Sequence, residues 1–251
     1  MSLRHIAFLV AYDGGAFCGS QRQSNGPSVQ GELERALQKV LKVETPVVLA
    51  GRTDAGVHAT GQVAKFSTEN ESLPTLRVPL ALNSVLEKSV RARESREVES
   101  DFHPRFSAQG RIYRYRIEQA KTYNPMLRAI AANVRDELNI EAMRAASQPL
   151  IGRQDFKAWQ SAGSPSPTTV RDVRRIEIIQ TEAFDSSLIE IEIEADSYLY
   201  QMVRNIVGAL IEAGRGQLSA EDVKRLTEGL DRTQCPPPAP PPGLCLTQVN
   251  Y

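Results

Sequence analysis

The chain has 251 residues, of which 41% are hydrophobic and 24% are charged. This composition is typical of a soluble globular protein that forms one large domain or two small ones. Thirty basic residues balance thirty acidic ones, so the net charge gives no sign of a polyanionic partner, and only a local cluster could indicate one. Basic residues do concentrate between residues 105 and 128, whereas a later segment, residues 190–196, is acidic.

The cysteines and the apolar runs argue against two further classes of protein. Cys18, Cys235 and Cys245 are far apart and form no Cys-x-x-Cys motif, which is unlike a disulfide-stabilised secreted domain. The first apolar run, residues 6–11, is too short for a secretory signal, and no run approaches the roughly 18 apolar residues of a membrane span. The sequence therefore predicts a cytoplasmic protein without membrane contact.

The first half of the chain predicts the element order β-α-β-β-α-β. Ser28 is the expected N-cap of the first helix, because apolar residues repeat at helical spacing after it. Alternation of apolar and polar residues predicts the strands. The predicted elements are a strand over residues 3–12, a helix over 29–41, strands over 46–50 and 62–68, a helix over 75–86 and a strand over 89–98.

The second half predicts the similar order β-α-β-β-α-α-β. Its elements are a strand over residues 111–118, a helix over 140–151, strands over 169–181 and 188–195, helices over 198–213 and 219–230, and a closing strand over 244–249. Two split β-α-β halves of this kind are the ferredoxin-like plan. The predicted fold is α+β, with halves over residues 1–100 and 101–251 that share one long antiparallel sheet, helices on one face and a catalytic cleft on the other.

A proline-rich run over residues 235–243 separates the last helix from the closing strand. Proline fixes φ and has no N–H, so the run must be extended polyproline II. An SH3-type ligand is one interpretation. Because the run leads directly into a strand, a stiff connector that positions Leu244 is the favoured one.

Several kinds of chemistry lack their usual signals. His5, His58 and His103 have no metal-ligand spacing to one another or to the cysteines. The paired glycines match no nucleotide-binding fingerprint. A Ser-His-Asp triad stays open, but no Gly-x-Ser-x-Gly elbow indicates a nucleophile. The sequence therefore predicts no metal and no cofactor.

Residues 50–62 place Arg52 and Asp54 on a glycine-bracketed loop between two predicted strands. Catalytic residues are often found on such loops. An Asp followed by Ala-Gly is equally typical of an ordinary turn, so a turn aspartate and a working aspartate are both compatible with the motif. A carboxylate beside a guanidinium stays ionised and could act as nucleophile or base at a sugar carbon.

Two other elements carry candidate side chains. Tyr113 and Tyr115 lie on one face of a predicted strand, with Arg114 and Arg116 on the other. An aromatic beside basic residues on a sheet can stack on an unpaired base, although each ring could equally be a core tyrosine. Arg204 lies at the border of the apolar arc of its helix, where a charge needs an ion pair unless the side chain reaches solvent.

These segments together resemble the tRNA pseudouridine synthase A family. The resemblance rests on Ala50-Gly-Arg-Thr-Asp-Ala-Gly-Val-His58, on Ser28-Val-Gln-Gly-Glu-Leu-Glu34 and on Arg111-Ile-Tyr-Arg-Tyr115. It extends through Met202-Val-Arg-Asn-Ile-Val-Gly208 and Pro242-Gly-Leu-Cys-Leu246. Several long motifs in the order typical of the family make this similarity specific.

The resemblance implies roles for single residues. Asp54 would be the catalytic aspartate, as nucleophile or base, and Arg204 would pair with it. Tyr113 would stack on the target uracil, Arg52 would fill the space of the extruded nucleotide, and Leu244 would line the uracil pocket. The residues implied to contact tRNA are Phe102, His103, Pro104, Arg105, Phe106, Gly163, Ser164, Pro165, Ser166 and Pro167.

The implied reaction is isomerisation of uridine to pseudouridine at tRNA positions 38, 39 or 40 in the anticodon arm, by a homodimer. The uridine would leave its stack at a cost of a few kcal/mol, offset by stacking and by side-chain insertion. The chain departs from the family pattern at Ser20, where a tryptophan is usual, and at Pro167, where an arginine is frequent. An RNA-binding chaperone without catalysis, or a hydrolase that uses Asp54 and water, would be alternatives.

Overall fold

A computed structural model describes residues 3–24, 26–163 and 166–251. The fold is mixed α+β with a large mixed β-sheet, which confirms the predicted fold class. Contacts divide the chain into two compact units, the first formed by residues 1–109 and 246–251 and the second by residues 110–245. The boundary predicted after residue 100 stays a prediction. Among the described residues, no helix is both long and apolar enough to cross a membrane.

The first unit has the element order predicted for it. Its strands pair antiparallel in the order β4-β1-β3, with β2 beside β3. The closing strand β10 reaches this unit from Leu246 onward. The elements are β1 (Arg4–Tyr12), α1 (Val29–Leu41), β2 (Val48–Leu49), β3 (His58–Thr68), α2 (Val78–Asn83) and β4 (Val90–Glu97).

Helix α1 begins where the sequence predicts. The Ser28 side chain accepts a hydrogen bond from the N–H of Gly31, and Lys42 ends the helix in the left-handed region. The N-cap bond satisfies one of the backbone donors that a helix start leaves unpaired. The buried face repeats at helical spacing and consists of Val29, Leu33, Ala36, Leu37 and Leu41.

Strand β3 begins at His58, four residues before the predicted start at residue 62. Gly61, taken from the sequence as the end of a loop, lies within the strand. A Cβ at this position would clash with the backbone carbonyl of Thr247, so glycine here permits close approach of two backbone segments. The predicted helix over residues 75–86 is shorter than expected, because residues 75–77 form a 3-10 turn before α2.

The second unit contains two short strands that the sequence analysis missed. Its strands pair in the order β5-β9-β8-β7, and β6 runs parallel to β5. Strands β6 and β7, of three and four residues, are too short to show a period. The elements are β5 (Gly110–Gln119), β6 (Ala132–Val134), α3 (Ile140–Ser147), β7 (Gly152–Asp155), β8 (Val170–Ala183), β9 (Ser186–Ala195), α4 (Met202–Gly214), α5 (Ala220–Gly229) and β10 (Leu244–Asn250), the last of which continues into the first unit.

Two predicted helix bounds in the second unit are wrong. Helix α4 begins at Met202 instead of residue 198, because Gln201 has a left-handed backbone with φ of 57°. Helix α3 ends at Ser147 instead of residue 151, and a 3-10 turn containing Pro149 follows it. Proline cannot donate the backbone bond that would continue a helix. Helix α5, predicted over residues 219–230, spans Ala220–Gly229, with Ser219 as its N-cap and Asp222 completing a capping box.

Candidate active site

The loop of residues 50–57, named here the Asp54 loop, connects β2 to β3. The carbonyl of Asp54 accepts a hydrogen bond from the N–H of Val57 at 3.1 Å, and Gly56 has a φ of 78°. The backbone of Asp54 therefore closes a turn, as Asp-Ala-Gly chemistry predicts. Its side chain is half-buried, whereas that of Arg52 is exposed. A turn backbone and a reactive carboxylate are compatible in one residue.

Gly14 lies directly against the Asp54 loop. Its carbonyl accepts from the N–H of Gly56 at 3.2 Å, and its N–H donates to Nδ1 of buried His58 at 3.1 Å. A Cβ at Gly14 would clash with the carbonyl of Val57. The turn that follows β1 thus supports the loop through Gly14, where only glycine leaves room for the Val57 carbonyl.

Gln62 fixes the start of the Asp54 loop. Its side chain is fully buried, its Nε2 donates to the carbonyl of Gly51 at 2.9 Å, and its Oε1 accepts from the N–H of Gly51 at 3.2 Å. Both polar groups of one peptide residue are thereby satisfied by one amide side chain. A buried polar group of this kind is costly to leave unpaired, so the amide rigidly defines where the loop leaves β2.

Thr53, the residue before Asp54, is bonded on three sides. Its Oγ1 is 2.8 Å from the hydroxyl of Tyr12, its N–H donates to Oγ of Ser20 at 2.8 Å, and its carbonyl accepts from the N–H of Ser20 at 3.0 Å. All of these groups are neutral. The peptide that leads into Asp54 is therefore held by short, uncharged hydrogen bonds in a buried setting.

A cavity of about 260 Å³ opens beside the loop in the same unit. Arg52 and Gly51 line it on one side, and His103, Arg105 and Phe106 line it on another. The remaining lining residues are Ser20, Gln21, Gln30, Val47, Val48 and Leu49. Arg52 thus shares a cavity with residues that the sequence analysis expected to contact RNA.

Residues 102–106, named here the Phe106 segment, present an aromatic ring and a cation together. Nδ1 of His103 accepts from the backbone N–H groups of Arg105 and Phe106, which folds the segment into a tight turn. The His103 and Phe106 rings are 4.3 Å apart, and the guanidinium of Arg105 lies 5.6 Å from the Phe106 centroid. Phe106 is 75% exposed. An exposed ring beside a guanidinium is suited to stack on a base and neutralise a phosphate.

The Phe106 segment has firm anchors on either side of its exposed tip. The ring of Phe102 packs against Tyr251 at 4.9 Å, and its carbonyl accepts from Nζ of Lys65 at 2.6 Å. Pro104 is buried, and its carbonyl accepts from the hydroxyl of Tyr251. The exposed Phe106 is therefore presented by an ordered turn.

In the second unit, the two tyrosines of β5 differ in environment. Tyr115 is fully buried and its hydroxyl donates to the carbonyl of Pro240 at 2.8 Å. Burial raises the pKa of Tyr115 above its usual range, so it is a neutral core donor, which is the alternative interpretation considered for each ring. Tyr113 is 7% exposed, and its ring meets Tyr198 edge-on, with centroids 5.1 Å apart and an angle of 86°. This contact orients the Tyr113 ring.

Arg204 is fixed by the proline-rich run, named here the proline connector (residues 235–243). Nε of Arg204 donates to the carbonyl of Ala239 at 2.8 Å, and the N–H of Ala239 donates to the carbonyl of Arg204 at 2.9 Å. Ala239 provides the single N–H between Pro236 and Pro242. The one backbone donor among residues 236–242 thus holds the candidate arginine. Leu244, the first residue of β10, is buried.

Only part of the second predicted RNA-contacting segment can be described. Gly163 is exposed with φ of 102°, and Pro167 is exposed. Oγ of Ser166 donates to the carbonyl of Thr168 at 2.8 Å and accepts from Arg171 at 3.0 Å. Ser164 and Pro165 lie outside the described residues.

Two of the basic side chains that cluster in the sequence, Arg114 and Arg116 on β5, are paired with carboxylates. Arg114 contacts Glu192 at 3.0 Å and Arg116 contacts Glu190 at 2.7 Å, both on the adjacent strand β9. From the other side, Arg175 on β8 also contacts Glu192, at 2.7 Å. The segregated charges of the sequence therefore neutralise each other across strands. We name these side chains the ion-pair face.

The structure adds residues that the sequence analysis did not identify as functional. Gln62 was predicted only to begin a strand, Ser20 was a departure from the family pattern, and Ala239 lay within the proline connector. The polar Gln62 directly precedes the apolar Val63 and Ala64 in a predicted strand. A polar side chain next to core residues could have indicated that it forms buried hydrogen bonds. Among the residues that the structure describes, no group of three or more His, Cys, Asp or Glu side chains could hold a metal ion.

Comparison with known proteins places the chain in a family. The family model described as tRNA pseudouridine synthase matches residues 9–107 and 146–251. A tRNA pseudouridine synthase A from Citrifermentans bemidjiense is 40% identical over 250 residues, which cover 99% of this chain and 98% of the relative. Proteins of the same name from Thermoanaerobacter sp. (40% identity, 99% of this chain and 100% of the relative) and Moorella thermoacetica (41% identity, 98% and 99%) are similarly related. The chain belongs to the tRNA pseudouridine synthase family.

Proposed function

We propose that the chain isomerises uridine to pseudouridine in tRNA and that Asp54 is its catalytic carboxylate. The bond between N1 and C1′ breaks, the uracil turns, and C5 bonds to C1′. C5 loses a hydrogen to solvent and N1 gains one, so the composition of the nucleoside is unchanged. Asp54 acts at the ribose, as a nucleophile on C1′ or as a base at C2′.

The observation that carries the proposal is the set of hydrogen bonds that hold the backbone on both sides of Asp54. Gln62 fixes the loop before Asp54, Gly14 supports it after Asp54, and Thr53 is bonded on three sides. A reacting carboxylate needs a defined position more than it needs strong binding. An ordinary surface turn would not require a fully buried glutamine amide to hold its backbone. The support therefore favours a working aspartate over a turn aspartate.

Four further residues have proposed roles in the same reaction. Tyr113 stacks on the target uracil, and its edge-on contact with Tyr198 fixes the plane of the ring. Arg52, exposed at the cavity, takes the space of the extruded nucleotide. Leu244 lines the uracil pocket. Arg204, oriented through Ala239, is the proposed charge partner of Asp54, which would keep the carboxylate ionised.

The proposed substrate is the anticodon arm at positions 38, 39 and 40. Arg105 and Phe106 support an RNA partner, because the ring is exposed and the cation lies beside it. The described residues of the 163–167 segment are a second proposed contact. A homodimer in the cytoplasm belongs to the same proposal.

The test is release of tritium from tRNA that carries the label at C5 of uracil. Wild-type protein is expected to release the label to water and to leave pseudouridine in the tRNA. Asp54→Asn keeps the size of the side chain but removes its charge, and we expect release to fall below detection. Asp185→Asn is the matched control, because Asp185 is an exposed turn residue with φ of 58° that asparagine also adopts.

The other two functions give different products in this assay. A hydrolase that used Asp54 and water would liberate the base from the tRNA and leave an abasic ribose. A chaperone would bind tRNA and release no label. Undiminished release by Asp54→Asn would overturn the proposed role of Asp54.

A further inference from the structure

Ser20 occupies a position that the proposed reaction does not use directly. It lies on the loop between β1 and α1, and its exposed fraction is 0%. At this position the chain departs from the residue usual in the family. A fully buried serine must find hydrogen-bond partners, so its surroundings indicate what it does.

Those partners belong to the Asp54 loop and to α1. Oγ of Ser20 accepts from the N–H of Thr53 at 2.8 Å, and its own N–H donates to the carbonyl of Thr53 at 3.0 Å. Its carbonyl accepts from the N–H of Gln30, in the first turn of α1, at 2.9 Å. Ser20 therefore connects the residue before Asp54 to a rigid helix.

The chain preceding Ser20 is shaped for this close approach. Gly19 has a φ of 127°, a conformation that side chains disfavour. A Cβ at Gly19 would lie 3.1 Å from the carbonyl of Thr53, closer than a side chain comfortably allows. The two backbone segments can therefore approach only with glycine there, and Ser20 then makes two of its hydrogen bonds to a single residue of the Asp54 loop.

We propose that Ser20 is a positioning residue for pseudouridine formation: its hydroxyl fixes the peptide between Arg52 and Thr53, its N–H fixes the peptide between Thr53 and Asp54, and the two bonds together set the direction of the Asp54 carboxylate. The proposal rests on the proposed role of Asp54. Removal of the hydroxyl leaves the N–H of Thr53 buried and unpaired, and the peptide must turn to find another acceptor. A small rotation of this peptide displaces the carboxylate relative to the ribose.

The expected consequence is a loss in the chemical step. Misplacement of a reacting group by about 1 Å can cost on the order of 100-fold in rate. We therefore expect Ser20→Ala to lower kcat by about 10-fold to 100-fold. KM for tRNA should stay within about twofold of wild type, because Ser20, although it borders the cavity, has an exposed fraction of 0%.

Ser28→Ala is the matched control. Ser28 is also a buried serine of the first unit, and its hydroxyl also accepts from a backbone N–H, that of Gly31 at 3.1 Å. It caps α1 without contacting the Asp54 loop in any hydrogen bond that the structure describes. Ser28→Ala should therefore lower the thermal midpoint as much as Ser20→Ala or more, yet leave kcat within about twofold of wild type.

The experiment measures kcat and KM for tRNA by tritium release, together with thermal midpoints and amide hydrogen exchange, for wild type, Ser20→Ala, Ser28→Ala and Asp54→Asn. Ser20→Ala should speed exchange of the Thr53 amide, whereas Ser28→Ala should not. If Ser20→Ala does not fold, Ser20→Cys takes its place, because a thiol is a weaker acceptor of similar size, and an intermediate rate is expected.

Two results would distinguish a failure of the Ser20 proposal from a failure of the proposed role of Asp54. If Asp54→Asn is inactive but the Ser20 variant keeps the wild-type rate, or loses no more than Ser28→Ala, then Ser20 has no positioning role. If Asp54→Asn retains activity, the proposed role of Asp54 fails, and the positioning role of Ser20 fails with it.

Discussion

The Asp54 loop and the ion-pair face organise polar side chains in opposite ways. Around the loop, buried neutral groups such as Gln62 and Ser20 bond to the backbone. On the ion-pair face, partly exposed side chains such as Arg116 and Glu190 pair with one another across strands. Neutral buried bonds are insensitive to salt, whereas exposed ion pairs are screened and contribute little. The region with fewer charges is therefore the one expected to govern both activity and local rigidity.

Gly14→Ala should have the largest effect on stability and activity, because the added methyl group forces the turn after β1 away from the Asp54 loop. The added methyl meets the carbonyl of Val57, a backbone atom that cannot rotate away. Overpacking of this kind typically costs about 1–3 kcal/mol, and more where backbone must shift. We expect a lower free energy of unfolding in urea and a kcat reduced by at least about 10-fold.

Gly229→Ala provides the matched control for this glycine substitution. Gly229 ends α5, and a Cβ there would meet no atom within 4 Å. Alanine at a compatible position stabilises by roughly 0.4–1 kcal/mol through the unfolded chain. Equal effects of the two substitutions would contradict the role assigned to Gly14.

Gln62→Leu should remove both side-chain bonds to Gly51 while retaining most of the buried volume. Each unpaired buried group costs about 1–3 kcal/mol, so we expect a loss of stability near the upper part of that range and a reduced kcat. Urea unfolding and the tritium assay measure the two effects. Gln248→Leu is the control, since Gln248 is exposed and bonds only the side chain of Asn250 among the contacts described. A stable, fully active Gln62→Leu would show that the Asp54 loop keeps its conformation without the Gln62 hydrogen bonds.

Ala239→Pro tests whether the second unit relies on the same kind of neutral support. Proline removes the N–H that the proline connector donates to the carbonyl of Arg204. The expected cost is about 1–3 kcal/mol, with a fall in kcat because the connector, no longer bonded to the backbone of Arg204, displaces the Ala239 carbonyl that orients the Arg204 side chain. Ala239→Ser keeps the N–H and should preserve the rate more fully. Equal activity of the two variants would separate Arg204 orientation from the connector.

Glu192→Gln, a substitution on the ion-pair face, should have the smallest effect on stability and activity. Exposed pairs contribute about 0–1 kcal/mol each, and the partly exposed Glu192 pairs with Arg114 and Arg175. We expect a destabilisation of roughly 1 kcal/mol at low salt that becomes smaller in 1 M NaCl, with kcat unchanged. Loss of activity would contradict a purely structural role for this face, and a penalty unchanged in high salt would contradict an electrostatic origin.

The same glutamate gives a pH prediction. Burial alone would raise the pKa of Glu192, but hydrogen bonds from Arg114 and Arg175 outweigh it and hold the pKa below the ordinary value of 4.5. A depressed pKa in the folded state stabilises above the unfolded value and is lost as the pH falls. Unfolding titrations should show wild type losing this contribution below about pH 4.5, whereas Glu192→Gln should lack that component.

Local patterns determined much of this protein. The Ser28 cap and the apolar repeat after it specify α1, and strict alternation specifies β5. The motif around Asp54 and the Met202 helix were sufficient to indicate the family, which the comparisons then established. These features depend on residues within a few positions of one another, so the sequence alone contains them.

Tertiary structure decided how those features are held. Gly61 is a point of close approach to Thr247, which lies far along the sequence. Arg116 is neutralised by Glu190 on another strand, and Ser20 accepts from Thr53 on another loop. A hydrogen bond or ion pair depends on distance and direction in space, and no local pattern states which distant groups will meet. The sequence therefore identified the candidate carboxylate, whereas the fold supplied the neutral bonds that hold its backbone in place.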